Sequence, residues 1–274
     1  MRVAVVTIVH GRREHLLNQA VALASGDRVP DDYVVVAMNE PSAIDWFTDH
    51  RFPPTVVNLE SAGSELPLAA ARNLGARTAI DAGAELLVFL DVDCVATTGL
   101  VASYVEAAEK NPHALLSGAV GYLPAGVGAF SVNRSAAAHF HDFRPRLGTG
   151  ETAPADPKLF WSLSFALTAA TWRESGGFHE EYRGYGGEDT DFAQVAVSAG
   201  IEFLWVGGAE AFHQHHPSES PPVQHIDDIL RNGRLFASRW GSWPMQGWLD
   251  AFEERGLAAR DPQTGDWQRT GAEK

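Results

Sequence analysis

Cysteine is nearly absent: Cys94 is the one thiol in 274 residues. No intrachain disulfide can form, which fits a reducing compartment and an expected cytoplasmic location. Positive charge is scarce too. The chain carries 21 Lys and Arg against 35 Asp and Glu, a formal net charge of -14. Binding to nucleic acid needs clustered cations to neutralise phosphates, so DNA or RNA is excluded as the main partner, and anionic membranes are disfavoured for the same reason. No apolar run approaches the roughly 18 residues of a membrane span. Residues 1–10 are too short an apolar stretch for a signal peptide and read as a first strand. No internal repeat or low-complexity segment appears. No Gly-x-Gly-x-x-Gly follows the first strand, which argues against a dinucleotide-binding Rossmann site.

What is present is an ordinary globular composition, 45% hydrophobic and 20% charged. The length suits one large α/β domain or a domain and a half. In the first half, β-rich runs at 3–9, 33–38, 55–59 and 86–90 alternate with helical spacing at 14–24 and 68–82. Continuous apolar strands separated by helices predict a mostly parallel sheet covered on both faces. A further helix is expected to about residue 110, stopped by Asn111-Pro112. The second half is less regular. Strands are expected at 114–123, 160–170 and 201–206, and helices at 171–175 and 190–199. The stretch 141–158, rich in Pro and Gly, reads as a mobile loop. The tail past Pro217 holds four of the eight tryptophans and is expected to pack back on the body.

Two phrases carry most of the chemistry. The apolar run 86–90 ends in Asp91-Val92-Asp93. In an open sheet ligands bind beyond the carboxyl ends of the strands. If the chain stays extended there, Asp91 and Asp93 point the same way, and paired carboxylates can hold a hard divalent ion and, through it, a diphosphate. The plain alternative is a solvated turn, where Asp is common. The second phrase is Gly186-Gly187-Glu188-Asp189-Thr190-Asp191. Its acids fall in the first turn of a helix, where caps are favoured, but three acids beside paired glycines and Tyr185 point to an acceptor pocket with a base. Both Asp189 and Asp191 are candidates for that base. His213, His215 and His216 follow the last strand and offer imidazole ligands, with His213 favoured. Arg72 offers a cation for a phosphate and Asn73 an amide for a sugar or base edge, although each is also an ordinary helix residue.

In this order, residues 7–12, Asn39-Glu40, Ala71-Arg72-Asn73-Leu74-Gly75, Asp91-Val92-Asp93, Gly176-Gly177-Phe178, Gly186-Gly187-Glu188-Asp189 and His213 resemble a GT-A glycosyltransferase of the broad family-2 type. The acid motif is similar to the C-terminal galactosyltransferase module. The resemblance implies an α/β GT-A fold: a mostly parallel central sheet flanked by helices, with a smaller mixed sheet on the acceptor side. Residues 1–216 would be the catalytic domain, with 1–110 the nucleotide-binding half and 111–216 the acceptor half. Residues 217–274 would be a helical, Trp-rich extension. The resemblance implies transfer of a hexose, with inversion, from a UDP-linked sugar to a carbohydrate or small-molecule hydroxyl, assisted by Mn2+ or Mg2+. Thr7, Val9, Arg12, Asn39, Glu40, Arg72, Asn73, Asp91 and Val92 would bind the nucleotide sugar. Asp93, Asp91 and His213 would hold the metal. Asp189 would be the base, and Tyr185, Gly186, Gly187 and Glu188 would bind the acceptor. A homodimer is compatible with the sequence.

Three other readings compete. Asp91-Val92-Asp93-Cys94-Val95 also fits the nucleophile pattern of a haloacid dehalogenase-type phosphatase. That class usually places the motif on its first strand, whereas here three strands precede it. A nucleotidyltransferase lacks the expected Gly- and Lys-rich N-terminal loop. A non-catalytic sugar-binding protein with the same fold would have no need of intact acids and histidine.

Overall fold

The computed structural model describes residues 1–47, 52–63, 65–217 and 219–271. In chain order the elements are β1 (Val3–Val9), α1 (Arg13–Ala24), β2 (Asp32–Met38), β3 (Thr55–Leu59), α2 (Leu68–Asp81), β4 (Leu86–Leu90), β5 (Cys94–Ala96), α3 (Leu100–Lys110), β6 (Ala114–Tyr122), α4 (Arg134–Ala137), β7 (Thr152–Pro154), β8 (Ser164–Thr168), α5 (Ala169–Ser175), α6 (Glu188–Ser198), β9 (Glu202–His213), α7 (Ile226–Trp240), α8 (Gln246–Glu254), β10 (Ala258–Arg260) and β11 (Trp267–Arg269).

One sheet organises the body, in the order β3-β2-β1-β4-β8-β6-β9-β5, with β7 also paired to β9. The left half is parallel, as the unbroken apolar runs require. Strand β8 enters antiparallel between β4 and β6. The mixed strands of the second half are thus continuous with the parallel half. The separate small sheet is the β10–β11 hairpin of the tail.

Alternate residues of β1 feed two cores. Val3, Val5 and Val9 pack with α1 and α3 on one face. Ala4, Val6 and Ile8 pack with α2, α5 and α6 on the other. A third, smaller core of Ile226, Ile229, Leu249, Phe252 and Trp267 holds the tail together.

Three local expectations are corrected. The last body strand continues to His213, because Gly208 at φ 83 forms a bulge that kinks β9 without ending it. The pairing register with β6 shifts at the same level, between Gly118 and Val120. Residues 141–158 are not a free loop. Strand β7 pairs with β9, and the amides of Gly207 and Ala155 tie the segment down through Glu151 and Phe203. Finally, residues 91–93 form a turn, closed by the Cys94 amide donating to the Asp91 carbonyl. An extended chain there would have aligned the two carboxylates; the turn separates them. Among the described residues no helix is long and apolar enough to cross a membrane.

Candidate active site

The carboxyl ends of β1, β2, β4, β6 and β9 meet along one edge of the sheet, and two groups of side chains gather there. The first is centred on Asp93. Its Oδ2 lies 3.4 Å from His213 Nε2 and 3.2 Å from His216 Nε2, and 3.9 Å from Arg12 Nη1. The three ligand atoms of Asp93, His213 and His216 all lie within 4.8 Å of one another. Burial alone would push the Asp93 carboxyl up, but hydrogen bonds from both imidazoles hold it well below the usual carboxylate range. The loops are pinned together by Gln214, whose amide donates to the Asp93 carbonyl at 2.7 Å. Its buried side chain bonds to Asn18 and to the His15 carbonyl. With Gln214 turned inward, His213 and His216 face Asp93, while His215 is left exposed. His216, which the sequence ranked behind His213, joins the cluster, and Asp91 stands outside it.

The second group is centred on Arg72, which is only 4% exposed. Its two terminal nitrogens each reach a carboxylate at 3.2 Å: Asp91 from the end of β4, and Glu188 from the start of α6. The guanidinium also lies 5.2 Å from the Phe178 ring centre. Helix α2 therefore bridges the two acid motifs through one cation. Burial and the neighbouring Asp189 charge raise Glu188 to about 7, with Arg72 pulling the other way. Burial also raises Asp189, offset by hydrogen bonds from Thr190 and by the Arg72 charge. Asp189 is half-buried, and its Oδ1 accepts the Thr190 amide at 2.7 Å.

Asp191 is fully engaged elsewhere. It is 1% exposed and accepts from Tyr182 Oη, Trp240 Nε1 and, in a fork, Arg239 Nε and Nη2. These bonds anchor α7 to α6 and occupy both oxygens of Asp191.

The glycine pair gives α6 its entry. Gly186 and Gly187 take φ of 95° and 92°, which side-chain-bearing residues avoid. The tail holds this turn from behind: Asn232 Nδ2 donates to the carbonyls of Arg183 and Tyr185. Tyr185 stacks on His225 at 4.7 Å and lies 5.7 Å from Trp248, both from the tail. Burial pushes its hydroxyl up to about 12, reinforced by the Asp189 and Glu188 charges. No sequence signal tied the tail tryptophans to this place.

The residues expected to contact the nucleotide are placed as follows. Thr7 is 1% exposed, with its Oγ1 near Gln19 Oε1 and the Leu90 carbonyl, and Val9 packs in the core, so neither side chain lines a pocket. Val92 packs against that same core. Asn73 holds the turn after Gly177: its Nδ2 donates to the Phe178 carbonyl and its Oδ1 accepts the Phe178 amide. That amide side chain is not available to a sugar. Asn39, at φ 49°, clasps Ser61 with both ends of its amide at the β2–β3 edge. Glu40 beside it accepts from Ser42. His10, beyond β1, bonds to the Met38 carbonyl and stands exposed at the same edge.

Comparisons with known proteins fall on this architecture. Residues 155–217, from before β8 to past His213, match a family model described as the N-terminal domain of galactosyltransferase. Among solved structures, S. aureus TarS residues 1–349 in complex with UDP-GlcNAc aligns with TM-score 0.61 at 14% identity, over 87% of this chain and 66% of that one. GalNAc-T7 with UDP, GalNAc and Mn2+ aligns with TM-score 0.60 at 14% identity, over 93% and 57%. The chain has the GT-A glycosyltransferase fold. A validoxylamine A glucosyltransferase from Streptomyces hygroscopicus subsp. limoneus is 28% identical over 265 residues, covering 82% of this chain and 56% of that protein. The GT-A chain thus spans little more than half the length of that relative.

Proposed function

We propose that this chain transfers a hexose from a UDP-linked donor to the hydroxyl of a carbohydrate or small-molecule acceptor, with inversion. The observation that carries the reading is the meeting, at one sheet edge, of the Asp93–His213–His216 cluster with the Arg72-locked Glu188–Asp189 pair. The glucosyltransferase relative supports it, as do the structural neighbours solved with UDP, UDP-GlcNAc or Mn2+.

Asp93, His213 and His216 fit a divalent ion. One carboxylate and two imidazoles suit Mn2+ better than Mg2+, which prefers an all-oxygen shell. Such an ion would neutralise the leaving diphosphate as a Lewis acid. Arg12, beside Asp93, adds positive charge on the donor side. His10, Asn39 and Glu40 border the nucleobase end. On the acceptor side, Tyr185 and Trp248 offer aromatic faces to a sugar ring, beside the close backbone approach that Gly186 and Gly187 permit. Asp189 takes the proton of the attacking hydroxyl, since its burial raises its proton affinity from the ordinary carboxylate level. Glu188 orients the acceptor and is itself held by Arg72. A single base opposite the donor phosphates corresponds to one in-line displacement, hence inversion. The phosphatase reading needs Asp91 as a free nucleophile, and the ion pair with buried Arg72 works against that.

We take residues 1–216 as the catalytic unit and 217–274 as an extension that braces the acceptor side, in a cytoplasmic protein. The test is calorimetric binding of a panel of nucleoside diphosphates and nucleotide sugars with Mn2+, with Mg2+ and with EDTA. Metal-dependent binding of UDP is expected; absence of binding by every nucleotide would overturn the reading.

A further inference from the structure

Among the described residues Arg144 is the second deeply buried arginine, at 6% exposed, and its surroundings are the opposite of those of Arg72. Among the described residues no carboxylate lies within 4 Å of it. Its guanidinium sits 4.5 Å from the ring centre of Trp161 and 5.2 Å from that of Trp205. Nη2 donates to the Leu159 carbonyl at 3.0 Å, and Nε is buried without a hydrogen-bond partner. A buried charge without a counter-charge in contact is costly, and a buried unpaired donor adds to that. Two tryptophan faces offset only part of it.

The position of this cation explains where compensation would come from. Trp161 lies two residues before Leu163, whose carbonyl accepts the Asp91 amide at 2.9 Å. Trp161 meets His141 edge-on at 5.0 Å, His141 meets Tyr122 at 5.2 Å, and Tyr122 stacks on His213 at 4.9 Å. The Arg144 charge also acts on Asp189, favouring its ionised form. Arg144 therefore lies within electrostatic reach of Asp189 and is linked to His213 through the rings of Trp161, His141 and Tyr122.

We infer that Arg144 marks a subsite for an oxyanion of the bound substrates. A guanidinium is a planar fork that matches phosphate or carboxylate oxygens in pairs, and in this low-dielectric setting such a bond is strong. The oxyanion comes either from the donor diphosphate or from an acidic group on the acceptor. Naming these sources rests on the glycosyltransferase reading; the anion site does not.

The experiment is calorimetric titration of the intact chain in EDTA with inorganic pyrophosphate. Glucose 6-phosphate is then titrated with Mn2+ and saturating UDP in place of EDTA. The proteins compared are the unaltered chain, Arg144→Met and Arg144→Lys. Pyrophosphate affinity falling at least about tenfold in Arg144→Met assigns the site to the donor. Loss confined to glucose 6-phosphate assigns it to an acidic acceptor. Unchanged affinity for both anions, or no binding of either by the unaltered chain, overturns the inference and leaves Arg144 as a spacer between two tryptophans. If Arg144→Met does not fold, Arg144→Lys decides, since it keeps the charge and most of the stem but loses the fork. Binding of UDP with Mn2+ by the unaltered chain is recorded in parallel, so failure of the anion site and failure of the glycosyltransferase reading are separate results.

Discussion

Replacing Arg72 by Met removes the single cation that both acid motifs share. The buried carboxylate of Glu188 and the half-buried one of Asp91 then lose their partner. The loss depends on pH in a definite direction. Burial raises Glu188 to about 7, and Arg72 limits that rise. The folded state therefore holds a proton that the unfolded chain releases near its ordinary value, and stability declines as pH climbs from there through 7. Without Arg72 the folded values of Glu188 and Asp91 rise further, so the decline is steeper and extends above 7. Near pH 4.5 the Glu188 proton is in place with or without Arg72, and the substitution costs mainly two hydrogen bonds, about 1–2 kcal/mol. At pH 8 the cost is that of breaking a buried ion pair, about 3–5 kcal/mol. For a chain of this size that lowers Tm by about 6–20 °C at pH 8, against a few degrees at pH 4.5. Calorimetric scans of the two proteins at both pH values provide the assay. Adding Glu188→Gln to Arg72→Met should recover part of the loss at pH 8. An equal loss at both pH values would refute the reasoning.

Asp191→Asn should cost about 1.5–3 kcal/mol and expose the tail to limited proteolysis, because the buried Asp191 carboxylate loses its charge-assisted bonds to Tyr182, Trp240 and the more exposed Arg239; a variant as stable and as resistant as the parent would show that α7 is held otherwise. Asp189→Asn, by contrast, should abolish transfer while leaving donor binding and Tm within error, and parallel loss of binding would remove it as the base. Asn73→Leu strands the Phe178 amide and carbonyl and should cost about 1–3 kcal/mol in urea unfolding. A cost under about 0.5 kcal/mol would mean that the turn after Gly177 does not depend on that clasp.

The parallel half of the sheet was legible because each of its strands is an unbroken apolar run between helices, and covering both faces leaves no other pattern. The second acid phrase was legible as a candidate site because glycines at 186 and 187 precede acids at a helix start. What stayed hidden depended on contacts between distant segments. The turn at 91–93 reads as a strand end, yet closing it sends Asp91 to Arg72 and Asp93 to the histidines. His216 equals His215 in sequence; only the inward anchor of Gln214 turns one toward Asp93 and the other to solvent. Gly207-Gly208 looks like a strand terminus but forms a bulge, which carries β9 on to His213. Asn73 carries an amide fit for a ligand, and the backbone of Phe178, 105 residues away, takes both ends of it. The tail tryptophans follow no motif, and their jobs differ: Trp240 bonds to Asp191, Trp248 lies along Tyr185, and Trp267 fills the hairpin core.

The most direct test of the central claim is UDP release from UDP-glucose, followed with Mn2+ and with EDTA, in the unaltered chain and in Asp93→Ala. The account predicts release with Mn2+, suppression by EDTA, and a fall of at least about tenfold in Asp93→Ala. Release that is indifferent to EDTA and to the loss of Asp93 would contradict it.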